Sequence, residues 1–178
     1  MGSGFERLDI EDQLQEEDIL PSNNIHIKIY PKQDHYKSRM ERYPYHVVLD
    51  TGNQLPYPLM AKIVFSELQD IGLIPYNQIL TKSKTNAVTI SDDKLPIKDL
   101  KLDTPLIFES ENGAIIKIRK FHVVEKTRSN FNFGNHHFTQ LGIQWRLGDD
   151  CVYIQGIEVP LINPHIPIND FNDFNNLF

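Results

Sequence analysis

The sequence predicts an all-β fold, mainly strands with one clear helix and a short second one, and three observations carry that expectation. Ile25-His26-Ile27-Lys28-Ile29-Tyr30 alternates strictly, so its three isoleucines fall on one face of a half-buried strand. Between Asn86 and Val124 the apolar residues come in short β-rich runs, and Asn112-Gly113 separates the last two. That dipeptide is a hairpin signal, because both central positions of a type I′ turn need positive φ. Leu59, Met60, Ile63, Val64, Leu68 and Ile71 recur at three- and four-residue steps, the spacing of a helix with one buried face.

At 178 residues the chain suits one domain with a sizeable core. Residues 1–24 read as an acidic, flexible arm that ends at Pro21-Ser22-Asn23-Asn24. The folded domain is expected over 25–162, with a polar, aromatic tail at 163–178. Within the domain, the strand from Ile25 leads through a charged loop, Pro31 to Arg42, into a second strand, Tyr45 to Leu49. Pro58 suits the first position of the helix, which runs to Gly72. Strands are then expected at Val88 to Ile90, Leu100 to Leu102, Leu106 to Phe108 and Ala114 to Val124. Arg128 to His137 reads as a polar loop, Leu141 to Leu147 as a short apolar stretch, and Cys151 to Val159 as a final strand.

Charge excludes one class of function. Of 24 acidic and 18 basic side chains, seven acids and one base lie in residues 1–24, which leaves 17 of each for the rest. A balanced domain lacks the positive field that draws proteins to phosphate backbones, so nucleic acid is not an expected partner. The single cysteine, Cys151, cannot form an internal disulfide, which favours a reducing, cytoplasmic setting. No apolar stretch is long enough to span a bilayer, and the N-terminus has neither the basic nor the hydrophobic part of a signal peptide.

The tripeptide Asp50-Thr51-Gly52 follows the apolar run Val47-Val48-Leu49. A buried strand ending in an acid, with a glycine to permit a sharp turn, presents a carboxylate at a strand end. Helix, hairpins and a Leu141-Gly142 follow in order. On these residues the chain resembles the retropepsin-like aspartic proteases. Asp50-Thr51-Gly52 corresponds to their Asp-Thr/Ser-Gly, and Ile71-Gly72-Leu73 to the end of the helix that often follows. Val88 to Ile97 and Leu106 to Val124 correspond to the flap hairpin and paired strands. Gln140-Leu141-Gly142-Ile143 corresponds to the closing motif, a glycine ahead of a short helix behind the active-site loop, with Trp145 in that helix. Asp50-Thr51-Gly52-Asn53 is also similar to the motif of sporulation sigma-factor-processing peptidases.

The resemblance implies a closed acid-protease β-barrel, one lobe per chain, acting as an aspartic endopeptidase on protein or peptide substrates. It implies catalysis by Asp50, Thr51 and Gly52, and substrate contacts from Asn53 and from the flap candidates Ile90, Asp92 and Asp93. The chemistry needs two carboxylates, and the one near repeat, Asp103-Thr104-Pro105, replaces the glycine with a proline that fixes φ and removes a donor. A second copy of Asp50 is therefore expected from a homodimer, with Ile25 to Tyr30 and Cys151 to Val159 as the strands that pair between subunits. No cofactor or metal is expected, since carboxylates activate the water; His46, His122, His136 and His137 lack the spacing of a metal site and read as loop or strand residues. The alternative is a catalytically inactive protease-like domain that serves as a protein-interaction module.

Overall fold

The computed structural model describes residues 25–32, 44–85, 95–127, 129–145 and 151–162. The first two expected strands form and pair antiparallel: β1 (Ile25–Pro31) and β2 (Tyr45–Asp50), with Ile27 opposite Val47. On its other side β2 runs parallel to β7 (Phe131–Gly134). The sheet continues through β3 (Leu59–Ala61), β6 (Ile115–Val124), β5 (Lys98–Glu109) and the short β4 (Thr81–Lys82). Tyr30 and Pro31 of β1 also pair with Glu109 and Phe108 of β5, so the sheet closes on itself as a ring. Among the described residues two short helices, α1 (Lys62–Asp70) and α2 (Asn135–Leu141), accompany it, and the architecture is all-β.

A second, three-stranded sheet has the order β10 (Ile157–Pro160), β9 (Cys151–Ile154), β8 (Ile143–Trp145). A bridge from Ile162 to His26 ties it to the ring. The stretch expected as one strand from Cys151 to Val159 is thus a hairpin, turning at Gln155 and Gly156, both of which adopt positive φ. Of the strands expected to pair between subunits, β1 is not an open edge, whereas β10, the second half of the Cys151 to Val159 stretch, is an outer strand of its sheet. β1 lies between β2 and β5 and is bridged by Ile162, while β9 lies between β8 and β10.

Three further boundaries differ from expectation for identifiable reasons. Leu59 to Ala61 fit a helical spacing but form β3, because Leu59 pairs with both His122 and Asn132; α1 starts only at Lys62. Tertiary pairing overrides local spacing there. Leu100–Leu102 and Leu106–Phe108 belong to one long β5, whose register with β6 shifts between Lys101 and Leu106. Pro105 sits in the shifted stretch, as expected of a residue that cannot donate to the ladder. Trp145 is in β8 rather than in a closing helix.

The core fills the ring. Ile27, Ile29, Val47, Leu49, Val64, Leu68, Leu100, Phe108, Phe121, Phe131 and Phe133 are all at most 2 % exposed. Tyr45 joins them, edge-on to Phe108 and Phe131 with ring centroids 6.4 and 5.7 Å away. Burial of each such side chain contributes about 1.5–3 kcal/mol. Among the described residues no helix is long and apolar enough to cross a membrane. The arm at 1–24, the tail at 163–178 and the loop at 33–43 lie outside the described residues.

Candidate active site

Asp50 is the last residue of β2 and is 3 % exposed. Val47, Val48 and Leu49 before it are all buried, so side chains on both faces of β2 are covered, which is why this strand reads as an unbroken apolar run. The chain then turns. Asn53 N–H donates to the Asp50 carbonyl at 3.0 Å, and Gly52 N–H donates to Asp50 Oδ1 at 2.9 Å. An aspartate that accepts from the backbone two residues on is a recurring turn device, and here it also satisfies a buried carboxylate oxygen.

The other side of the site comes from β7. Asp50 pairs with Gly134 in the parallel ladder, and Asn132 is fully buried with its Nδ2 3.4 Å from Asp50 Oδ2. Asn132 Oδ1 accepts from Asn53 Nδ2 at 2.7 Å, and Asn53 Oδ1 accepts from Leu55 N–H at 2.9 Å. The Asn53 carbonyl accepts from Asn135 N–H at 3.1 Å, capping the start of α2. Every polar group of Asn53 is therefore paired inside the protein, as a fully buried amide requires. Its side chain supports the turn.

Gly134 is needed for space rather than for an unusual φ. A Cβ there would stand 2.3 Å from the Asn53 carbonyl oxygen, so a larger residue would force the two segments apart. Gly134 N–H donates to His137 Nδ1 at 2.7 Å, the side chain at the third helical position reaching back over the helix start. Burial, against the opposing pull of the Pro56 and Leu55 carbonyls, lowers the His137 pKa to about 4. The ring is thus neutral near pH 7 and able to accept. His122, also buried, faces Asp99 Oδ1 through Nδ1 at 2.7 Å and lies 4.8 Å from the Tyr57 ring. Burial lowers its pKa while Asp99 opposes the shift.

The expected catalytic tripeptide is thus in place at a strand end, with the Thr51 side chain exposed. Ile90, Asp92 and Asp93 lie outside the described residues, as does most of the flap candidate. The closing motif is displaced. The glycine that precedes a short helix and packs against the Asp50 turn is Gly134, whereas Gly142 ends α2 in a left-handed conformation with φ 69°. The stretch Arg128 to His137, expected to be a polar loop, supplies β7 and the start of α2, and with them Asn132, Gly134 and His137. A usable signal existed in Phe131-Asn132-Phe133-Gly134, an alternation ending in glycine ahead of a helical stretch. Asp103 lies exposed in the shifted part of β5, away from any such turn. Among the described residues no group of three or more His, Cys, Asp or Glu could hold a metal ion.

No protein-family model and no curated protein matches the chain. Solved structures do. The retroviral protease-like domain of Ddi1 from Leishmania major aligns with a TM-score of 0.51 at 13 % identity, over 82 % of this chain and 98 % of that one. A likeness at such low identity is one of architecture, and it fits the closed sheet and the strand-end Asp50 described above: the chain has a retropepsin-like fold.

Proposed function

We propose that this chain is one subunit of an aspartic endopeptidase, a homodimer in which Asp50 of each copy contributes one carboxylate. The observation that carries this reading is the buried carboxylate at the end of β2, hydrogen-bonded at Oδ1 by the Gly52 amide and packed against Gly134 of a strand that leads into a short helix. Two carboxylates about 3 Å apart cannot both ionise, so they share one proton. The ionised one takes a proton from a water molecule as that water attacks the scissile carbonyl carbon, and the protonated one gives its proton to the carbonyl oxygen. Collapse of the tetrahedral intermediate breaks the C–N bond, with a proton passing to the leaving amine. No metal or organic cofactor takes part in this scheme.

One carboxylate per chain requires the second copy. Thr51, exposed next to Asp50, is the residue in position to meet its own symmetry mate. Substrate would bind extended, adding strand-like hydrogen bonds to the edge of the cleft, with side chains in apolar pockets. A reducing, cytoplasmic setting goes with the one, buried thiol of Cys151. The test is cleavage of a peptide library at mildly acidic and neutral pH by the purified protein and by Asp50→Asn. Cleavage by the first and not by the second supports the reading; equal cleavage by both ends it.

A further inference from the structure

We infer that Asn132 is a further positioning residue of the reaction centre, its amide donating to Asp50 Oδ2 and held in that orientation by Asn53. This inference rests on the peptidase reading for its catalytic meaning, although the hydrogen bond itself does not. Nothing in the Asp-Thr-Gly tripeptide points to it, because Asn132 is 82 residues further along the chain.

The orientation of both amides follows from one backbone donor. The Leu55 N–H can only donate, so the Asn53 atom that it meets at 2.9 Å is Oδ1. Asn53 must then turn its Nδ2 toward Asn132, which meets it at 2.7 Å with Oδ1. That leaves the NH2 group of Asn132 facing the carboxylate at 3.4 Å. Flipping either amide alone would set two donors or two acceptors against each other in a pocket where Asn53 and Asn132 are both 0 % exposed. The relay from Leu55 through Asn53 and Asn132 therefore ends as a donor on Asp50. The 3.4 Å separation is long for one subunit alone, and catalytic contacts commonly tighten in the assembled, substrate-bound site.

The chemical consequence concerns both oxygens of Asp50. Oδ1 receives the Gly52 N–H and Oδ2 the Asn132 amide, and each donor favours the ionised carboxylate. A dyad of two carboxylates so held reaches its singly ionised, active state at lower pH than one lacking the second donor. Residues 51–55 and β7 carry no titratable side chain near Asp50. On the elements packed around it the histidines are His46 on β2, His26 on β1, and His136 and His137 on α2, and the other titratable side chains are Lys28 and Tyr30 on β1 and Tyr45 on β2. His46 and His137 have pKa values lowered by burial to about 3 and about 4, so both stay neutral through mildly acidic pH.

The test pairs two readouts on the full chain: the pH profile of kcat/KM for a cleaved peptide, and the carboxyl titration of Asp50 by carbon-13 NMR, identified by its loss in Asp50→Asn. Two variants remove the donor in different ways. Asn132→Asp keeps an oxygen for Asn53 Nδ2 and replaces the donor by a second carboxyl group. The pair Asn53→Ser/Asn132→Leu leaves a hydroxyl to accept the Leu55 N–H and fills position 132 with an apolar side chain. In the pair variant the acid limb of the profile and the Asp50 titration are both expected to move up by about one pH unit, with a larger shift in Asn132→Asp. An Asp50 titration unmoved in either folded variant would overturn the inference. If the wild-type protein cleaves nothing while the Asp50 titration shifts as expected in the variants, the peptidase reading fails and the donor stands. Cleavage abolished by Asp50→Asn together with an unmoved titration defeats the donor alone.

Discussion

β7 carries two kinds of structure on alternate residues. Phe131 and Phe133 point into the aromatic core, where Phe131 lies 5.7 Å from Tyr45, 5.3 Å from Phe108, 5.8 Å from Phe121 and 6.2 Å from Phe133. Asn132 and Gly134 face the Asp50 turn, where contacts are hydrogen bonds and one close backbone approach. The core side is held by area and shape, which many side chains can supply. The site side is held by donor–acceptor identity and by the absence of a Cβ, which few can. Stability and activity should therefore respond to different residues of the same four-residue strand.

Phe131→Ala should give the largest loss of stability, about 3–5 kcal/mol in chemical denaturation, because it empties the centre of the aromatic cluster. Peptide cleavage at a temperature where the variant remains folded should survive in part. Gly134→Ala comes next. Its Cβ would press on the Asn53 carbonyl, at a cost of about 1–3 kcal/mol for forced backbone shifts. Unlike Phe131→Ala, it should remove activity at temperatures where circular dichroism still reports a folded chain. A Gly134→Ala protein with wild-type turnover would break the division between the two faces.

The smallest effect is expected at His137. Its folded pKa of about 4 lies below the ordinary value of 6.5, so in this window the unfolded chain binds more protons than the native one. Stability from this group is fully present above pH 6.5 and is lost as pH falls toward 4. His137→Gln keeps an acceptor for the Gly134 N–H but cannot titrate. It should leave stability at pH 7 within about 1 kcal/mol of wild type and flatten the decline between pH 6.5 and 4, measured as denaturation midpoint against pH. An unchanged slope would show that the histidine is not the titrating group on this face.

The same contrast explains which parts of the chain could be read from its residues. β1 and β2 were legible because their side chains obey the pattern of a strand beside a core, alternating in one and uniformly apolar in the other. Asp50 was legible because its neighbours on both sides are local in sequence. β7 was not, because Asn130, Asn132, Gly134 and Asn135 have the composition of a loop, and the reasons for them lie about 80 residues earlier in the chain. Asn132 is in a strand because Asn53 and Asp50 satisfy it, and Gly134 is there because Asn53 leaves no room for a Cβ. The two positions of Leu59 and Gly142 fail for related reasons. Leu59 joins two strands at once, and Gly142 closes a helix where a glycine that opens one was expected. The hairpin of β9 and β10 was hidden because Gln155, a non-glycine residue at φ 51°, gives no turn signal comparable to Asn-Gly.

The division between the two faces also bears on the subunit question. β1 and β9 are both flanked within the chain, whereas β10 is an outer strand of its sheet and is the part of the Cys151 to Val159 stretch left open to the proposed homodimer. In the proposed homodimer the Thr51 side chain, exposed next to a buried Asp50, is the expected contact across the two-fold axis.

The central claim is that Asp50 is a peptidase carboxylate completed by a second copy. The most direct test is peptide-library cleavage by the wild-type protein and by Asp50→Asn, with the oligomeric state of both followed by analytical ultracentrifugation. The account predicts cleavage by a wild-type dimer and a variant that is folded, dimeric and inactive. Cleavage that survives in Asp50→Asn, or a wild-type monomer that cleaves at full rate, would contradict it.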